Sequence, residues 1–379
     1  MKVLNVHSSP FGIFSKTGSF MGGIEKVVVD THNLLRSTFD IKSFCSVSDN
    51  LEGDEWIPIL PSEGLEYWTK NKKQLYQDII QKIKSESPDV IINHGSEKIL
   101  KLSNSLGIPS LFIDHRSNQL HKLYHEGFFT NLAFKTQEIG GKVYAVSNYS
   151  KNCKELEIKK LWDSEFKFDG WINFQYVESV DSLIETPNKK CVTIGRPEDN
   201  KSPHRIETFR KKFNIEYNLV TSIPDNPKKD TKKYFTERLE SNQNIVDRMH
   251  LNISREKTLE ILKQSSLYYS TSAIESAGIT AFESFSYGVP VILHAPTGIH
   301  ASTMYMPNGK GTAWEYYTTK NIDEIRAFID KCINYTYDDR LSIQNELVKN
   351  NSKEVALNNL SDIIRSIHPV AVHNLEEFM

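Results

Sequence analysis

The sequence predicts an α/β protein built on two doubly wound parallel sheets. Three observations carry that expectation. Short apolar runs such as Lys2–Val6, Asp89–Ile92, Ile108–Asp114 and Val289–Leu293 alternate with stretches of helical period, which is the pattern of strand–helix–strand units. The chain has 379 residues, beyond the roughly 250–300 at which a single core stops growing, so two domains are expected. The order strand, glycine-containing loop, helix occurs near the start, at Gly22-Gly23, and returns within Ser270–Leu293.

Charge and cysteine content narrow the function classes. The formal net charge is −2 and the pI is near 6.6, which excludes a uniformly basic binder of nucleic acid or anionic membranes. Residues 189–233 depart from that balance, with twelve Lys or Arg against six Asp or Glu. Such a segment suits a polyanion such as DNA, although most charge runs are solvated faces. The cysteines at 45, 153, 191 and 332 show no C-x-x-C or other metal-ligand spacing, in keeping with a reducing cytoplasmic compartment. Met1–His7 turns polar too soon for a signal peptide, and no apolar run reaches about eighteen residues. No transmembrane segment is expected, and peripheral contact with a membrane stays open.

In chain order, Lys2–Val6 reads as a buried first strand, followed by a Gly- and Ser-rich loop and a helix opening at Gly22-Gly23-Ile24. Ile41–Val47 and Trp56–Leu60 read as strands and Lys70–Lys84 as a helix. Asp89–Ile92 is a buried strand that exits at His94, and Ile108–Asp114 a further strand that exits at His115-Arg116. In open α/β sheets that carboxyl edge is where ligands bind. Val143–Asn148 gives another strand. The polar, aromatic stretch 162–176 and Thr186-Pro187-Asn188 read as the crossover between domains. Cys191–Ile194 opens the second domain, Met249–Ile253 continues it, and Ile322–Ile333 and Lys353–Ile367 are amphipathic helices.

The chain is organised around Ser270–Leu293, STSAIESAGITAFESFSYGVPVIL. A strand-like run enters it and another leaves it, with a loop and a helix between. The junction Ala277–Thr280 presents backbone N–H groups that have no partner within the helix, where the helix dipole adds positive character, so phosphate is its natural ligand. Gly278 lets such a ligand approach the backbone closely. Glu283, four residues beyond Ile279, projects from the same helical face and can accept hydrogen bonds from a vicinal diol. Glu275 lies on the other side of the phosphate position and can serve a second polyhydroxyl group. Two carboxylates flanking a phosphate-binding helix start describe a nucleotide-sugar pocket; a surface loop with two solvated glutamates is the plain alternative.

The spacing Glu275-x7-Glu283 is that of retaining glycosyltransferases with the GT-B fold. Ser286-Tyr287-Gly288-Val289-Pro290-Val291 resembles the small-x-G-x-P-V continuation of their glycogen-synthase-like family four, the group 1 glycosyltransferases. The resemblance implies two Rossmann-like domains facing across a cleft, at 1–180 and 181–352, with the final helix, about 353–379, crossing back to the first. It assigns Glu283 to the ribose, Glu275 to donor-sugar hydroxyls, and the Ala277, Gly278, Ile279 and Thr280 junction to the diphosphate. Gly195-Arg196 and Lys201 resemble the family's G-R…K-G element, whose Arg and Lys bind the diphosphate, although Ser202-Pro203 stands where the family has glycine. Gly22 and Gly23 match its N-terminal glycine loop, and His115 its histidine at the donor sugar. Gly309-Lys310-Gly311 resembles its N-G-x-x-G element.

The implied chemistry is transfer of a sugar from a nucleoside diphosphate donor, a UDP- or GDP-sugar, to an acceptor hydroxyl. No D-x-D motif is present, so Arg196, Lys201 and the helix amides take the place of a divalent metal, and no cofactor beyond the donor is implied. A glycan or lipid-linked glycan is the first acceptor class. A phage-type transferase acting on a hydroxymethylated DNA base is the second, which sets the expected location as bacterial or phage-infected host cytosol. A nucleotide-sugar epimerase and a non-catalytic nucleotide-sugar binder are readings of other classes.

Overall fold

The computed structural model describes residues 1–7, 23–45, 54–59, 65–115, 128–177, 183–185, 187–196, 201–202, 204–222, 248–272, 275, 278–294, 310–318 and 320–367. The chain divides into two compact units, Met1–Phe174 together with Glu354–Met379, and Gln175–Lys353.

The first unit runs β1 (Lys2–His7), α1 (Gly23–Leu35), β2 (Asp40–Cys45), β3 (Trp56–Pro58), α2 (Leu65–Glu86), β4 (Val90–His94), α3 (Glu97–Ser105), β5 (Ser110–Asp114), α4 (Phe128–Glu138), β6 (Lys142–Ala145), α5 (Asn148–Trp162) and β7 (Gly170–Trp171). Its sheet has the order β3-β2-β1-β4-β5-β6-β7, with every neighbouring pair parallel. Strands β4 and β5 are buried along their whole length, as a sheet covered on both faces requires, and their apolar runs follow from that. Ser96 and Ser147 cap α3 and α5, each accepting from a first-turn amide. The order of strands reverses between β1 and β4, which pair with His7 opposite His94.

Most of residues 162–176 belongs to the first unit, and the boundary between the units falls near the end of the stretch, between Phe174 and Gln175. Gly170–Trp171 pairs with β6 as the last strand, and Phe166 and Phe168 join the core of Leu100, Phe112, Val143 and Ile158. Phe166, Phe168, Ile172 and Phe174, all buried, fall at alternating positions. That period of two is the strand signal the polar residues between them conceal.

The second unit runs β8 (Asn188–Ile194), α6 (Arg205–Phe213), β9 (Glu216–Thr221), β10 (Met249–Leu251), α7 (Arg255–Gln264), β11 (Ser265–Ser270), α8 (Ile279–Ser286), β12 (Val291–His294), β13 (Trp314–Tyr317), α9 (Ile322–Cys332) and α10 (Tyr337–Asn351). The order β10-β9-β8-β11-β12-β13 is again parallel throughout and repeats the permutation of the first sheet. Helix α11 (Lys353–Arg365) closes the described chain, and the Arg365 guanidinium lies 5.8 Å from the Phe39 ring of the first unit.

Two features lock the organising helix α8 in place. Its C-terminus closes with Gly288 N–H bonded to Phe285 O at 2.9 Å and Val289 N–H to Ser284 O at 2.8 Å, a Schellman arrangement that needs the left-handed φ of +63° at Gly288. Arg340, 1% exposed, donates from one guanidinium nitrogen to Tyr287 O and Lys263 O, both at 2.9 Å. These carbonyls stand at the ends of α8 and α7, where the helix dipoles are negative, so two helix ends stabilise this buried cation.

Candidate active site

The second sheet reverses its strand order between β8 and β11, and the loops at the carboxyl ends of these two strands hold the residues singled out from the sequence. Lys201 follows β8 and Glu275 follows β11, and their side chains form an ion pair, 28% and 19% exposed. Ser272 Oγ donates to Glu275 Oε1 at 2.8 Å, and Thr271 Oγ1 donates to the Lys201 carbonyl at 2.6 Å. Arg205, the first residue of α6, donates to Thr271 O at 3.4 Å. The two loops are thereby stitched through side chains that the tight parallel pairing of their strands brings together. Arg196, two residues past β8, is exposed.

Helix α8 begins after Gly278, whose φ of 66° and ψ of 45° lie in the left-handed region that glycine enters at little cost. A glycine N-cap has no side chain to accept from the first-turn amides, so those of Ile279 and Thr280 are oriented for an anion. Glu283, one turn further on and 8% exposed, is ion-paired with Arg255 at the start of α7. Tyr268 is buried beneath this region. Burial first, then the charge of Glu275, hold its phenol above the usual range, so it stays protonated. At the end of β12, burial and the charge of Arg205 lower His294 to a pKa of about 4, and Tyr269 bonds its Nδ1 at 2.8 Å. His294 is therefore neutral at ordinary pH.

In the first unit, a buried ion pair between Asp114 and Lys154, 2.9 Å, anchors the end of β5. His115 follows directly, with its Nε2 2.9 Å from Nδ1 of His94 at the end of β4. The two strand-exit histidines, rivals in the sequence, are hydrogen-bonded neighbours. Gly23 is the first residue of α1. Gly22, Ala277 and Gly309 lie outside the described residues, as do 197–200 and 223–233 of the basic segment. Part of that segment is neutralised locally, because Lys190 pairs with Glu216 at 3.2 Å and Arg210 with Glu207 at 2.8 Å. Sequence reasoning missed Arg255, Ser272 and Asn5. No local spacing links Arg255 to a glutamate 28 residues away.

The family model described as "Glycosyl transferases group 1" matches residues 177–346. That match places a segment similar to the group 1 glycosyl transferases across most of the second unit. No curated protein matches it in sequence. Among solved structures, the chain resembles Anabaena HepE in complex with UDP and glucose, with a TM-score of 0.69, 14% identity, and coverage of 97% of this chain and 100% of that one. It also resembles sucrose-phosphate synthase from Thermosynechococcus elongatus, at TM-score 0.64 and 14% identity over 96% and 98%. The lipopolysaccharide outer core galactosyltransferase WaaB, apo form, aligns at TM-score 0.59 and 17% identity over 97% and 99%. These likenesses establish the GT-B fold for the chain. Among the described residues, no helix is long and apolar enough to cross a membrane.

Proposed function

We propose that the chain is a retaining glycosyltransferase that takes a UDP- or GDP-sugar and transfers its sugar to an acceptor hydroxyl. The observation that carries this reading is the Lys201–Glu275 pair beside the glycine-started helix α8, with Glu283 one turn along it. The arrangement offers a cation and oriented amides to a diphosphate, one carboxylate to a sugar and another to a ribose. Lys201, Arg196 and the amides of Ile279 and Thr280 hold the diphosphate and stabilise the charge that gathers on it as the bond to the anomeric carbon breaks. Glu283 accepts hydrogen bonds from the ribose diol while Arg255 fixes its carboxylate. Glu275 takes hydroxyls of the transferred sugar, and the assignment of His115 to a sugar hydroxyl rests on the family resemblance of its strand-exit position.

In the proposed step the acceptor oxygen attacks the anomeric carbon from the face the leaving group departs. The bond to the β-phosphate oxygen breaks, and that phosphate takes the acceptor proton, so nucleoside diphosphate and glycoside are the products. No side chain has to form a covalent intermediate. A glycan or lipid-linked glycan is the favoured acceptor. DNA is the second, motivated by the excess of basic residues in 189–233.

The test is a panel of UDP- and GDP-sugars followed for nucleoside diphosphate release, then acceptor trials with the best donor and assignment of the product anomer by NMR. An inverted anomer would overturn the retaining mechanism. Interconversion of the donor with no acceptor present would replace transfer with epimerisation, and salt-sensitive binding to DNA would favour the second acceptor.

A further inference from the structure

Six residues of the first unit form one continuous hydrogen-bonded chain across the sheet: Glu55, His32, Ser43, Asn5, His94 and His115. Asn5 sits at its centre on β1, fully buried. Its Nδ2 lies 3.0 Å from Val28 O and 3.1 Å from Ser43 Oγ. A carbonyl admits only a donor, so Val28 O fixes the amide with its nitrogen on that side. Asn5 Oδ1 then faces Nε2 of His94 at 2.9 Å. An amide oxygen only accepts, so His94 carries its hydrogen on Nε2. Burial disfavours a doubly protonated ring, and a neutral His94 therefore presents the Nδ1 lone pair to His115 Nε2, 2.9 Å away.

The other end of the chain agrees with this polarity. The Glu55 carboxylate, 3.1 Å from His32 Nε2, takes its hydrogen, so His32 Nδ1 is an acceptor for the Ser43 hydroxyl at 2.8 Å. Ser43 in turn keeps a lone pair for the Asn5 amide. Every donor meets an acceptor in one orientation only. The Asn5 amide does not pass protons along, so the chain sets orientation and does not relay protons. Phe174 packs against both rings, with centroids 5.7 Å from His94 and 6.1 Å from His115.

We infer that His94, set by Asn5, is a positioning residue that holds His115 with its hydrogen on Nε2 and its lone pair on Nδ1. His115 then recognises a substrate hydroxyl by accepting its hydrogen. That the hydroxyl belongs to a sugar rests on the function proposed above. The tautomer follows from the hydrogen bonds and the burial of His94, independently of that function.

The test is a long-range proton–nitrogen correlation spectrum of the full-length protein labelled with 15N-histidine, His115 being assigned by its loss in His115→Gln. The expected spectrum shows Nε2 protonated and Nδ1 bare at neutral pH. His94→Phe keeps a ring and removes the acceptor, and is expected to give mixed tautomers at His115. His94→Asn places an amide oxygen where Nδ1 stood, and is expected to restore the wild-type pattern. With an active donor, kcat/KM is expected to fall about tenfold in His94→Phe, near 1.4 kcal/mol, and to recover in part in His94→Asn. A protonated Nδ1 in the wild type overturns the inference, and that spectrum decides even where His94→Phe does not fold. An unchanged His115 pattern in folded His94→Phe overturns it as well. Tautomer switching as expected in a protein that turns over no nucleotide sugar supports the positioning and removes the sugar-transfer reading.

Discussion

Lys201 and Glu275, 74 residues apart in the chain, meet as an ion pair where the loops leaving β8 and β11 converge, and Ser272 holds the same carboxylate oxygen. Each residue is thus positioned by the other. Lys201→Ala and Glu275→Ala are expected to slow transfer by about 10²–10³-fold, the scale of losing one group that stabilises transition-state charge. Melting temperature should stay within a few degrees of wild type, since a pair this accessible contributes at most about 1 kcal/mol. Steady-state kinetics beside thermal melts check both.

Glu283 and Arg255 form the second pair. Glu283→Gln is expected to raise the donor KM by about 10–100-fold, because hydrogen bonds to a charged acceptor contribute about 1.5–3 kcal/mol. Titration with the free nucleoside diphosphate should show the same loss. An unchanged affinity would remove Glu283 from the ribose.

Arg340 tests the frame of the site. Arg340→Ala leaves two part-buried helix-end carbonyls without their donor and opens a cavity, and is expected to cost about 2–4 kcal/mol. Gly288→Ala acts on the same contact, since an added Cβ would lie 2.5 Å from the Arg340 carbonyl oxygen on a backbone with φ +63°. Both variants should lower the melting temperature and, assayed well below it, retain the donor KM. A wild-type melt in either would show that α10 does not brace α8.

Much of this frame was legible in the sequence. Val90–Ile92 and Leu111–Ile113 are apolar throughout because their strands are covered on both faces. Gly278 and Gly288 flank α8 because both ends of that helix need left-handed backbone. Helix α10 escaped the reading although Thr336 and Asp339 form a capping box at its start. Its buried face includes Arg340 and Gln344, which blur the apolar period. The partners of the site residues were also hidden. Arg255 reaches Glu283, and Asn5 reaches His94, only once the parallel order of the strands brings distant segments together.

His294 predicts a pH dependence of stability. Its folded pKa, about 4, lies below the ordinary 6.5 through burial and the charge of Arg205. The unfolded chain therefore binds a proton first as the pH falls. This contribution is complete above about pH 6.5 and is lost progressively between about 6.5 and 4. Buried His32 is shifted in the same direction. Over about pH 7 to 5, above the range of ordinary carboxylates, His294→Gln should lose less melting temperature on acidification than wild type. Parallel curves would remove the effect.

The most direct measurement is nucleoside diphosphate release by wild type and Lys201→Ala, side by side, from the UDP- or GDP-sugar that wild type uses best. Release by wild type, with a loss of about 10²-fold or more in a variant that melts normally, is the predicted result. Release from no nucleotide sugar, or equal rates in the two proteins, would contradict a donor site built on Lys201 and Glu275.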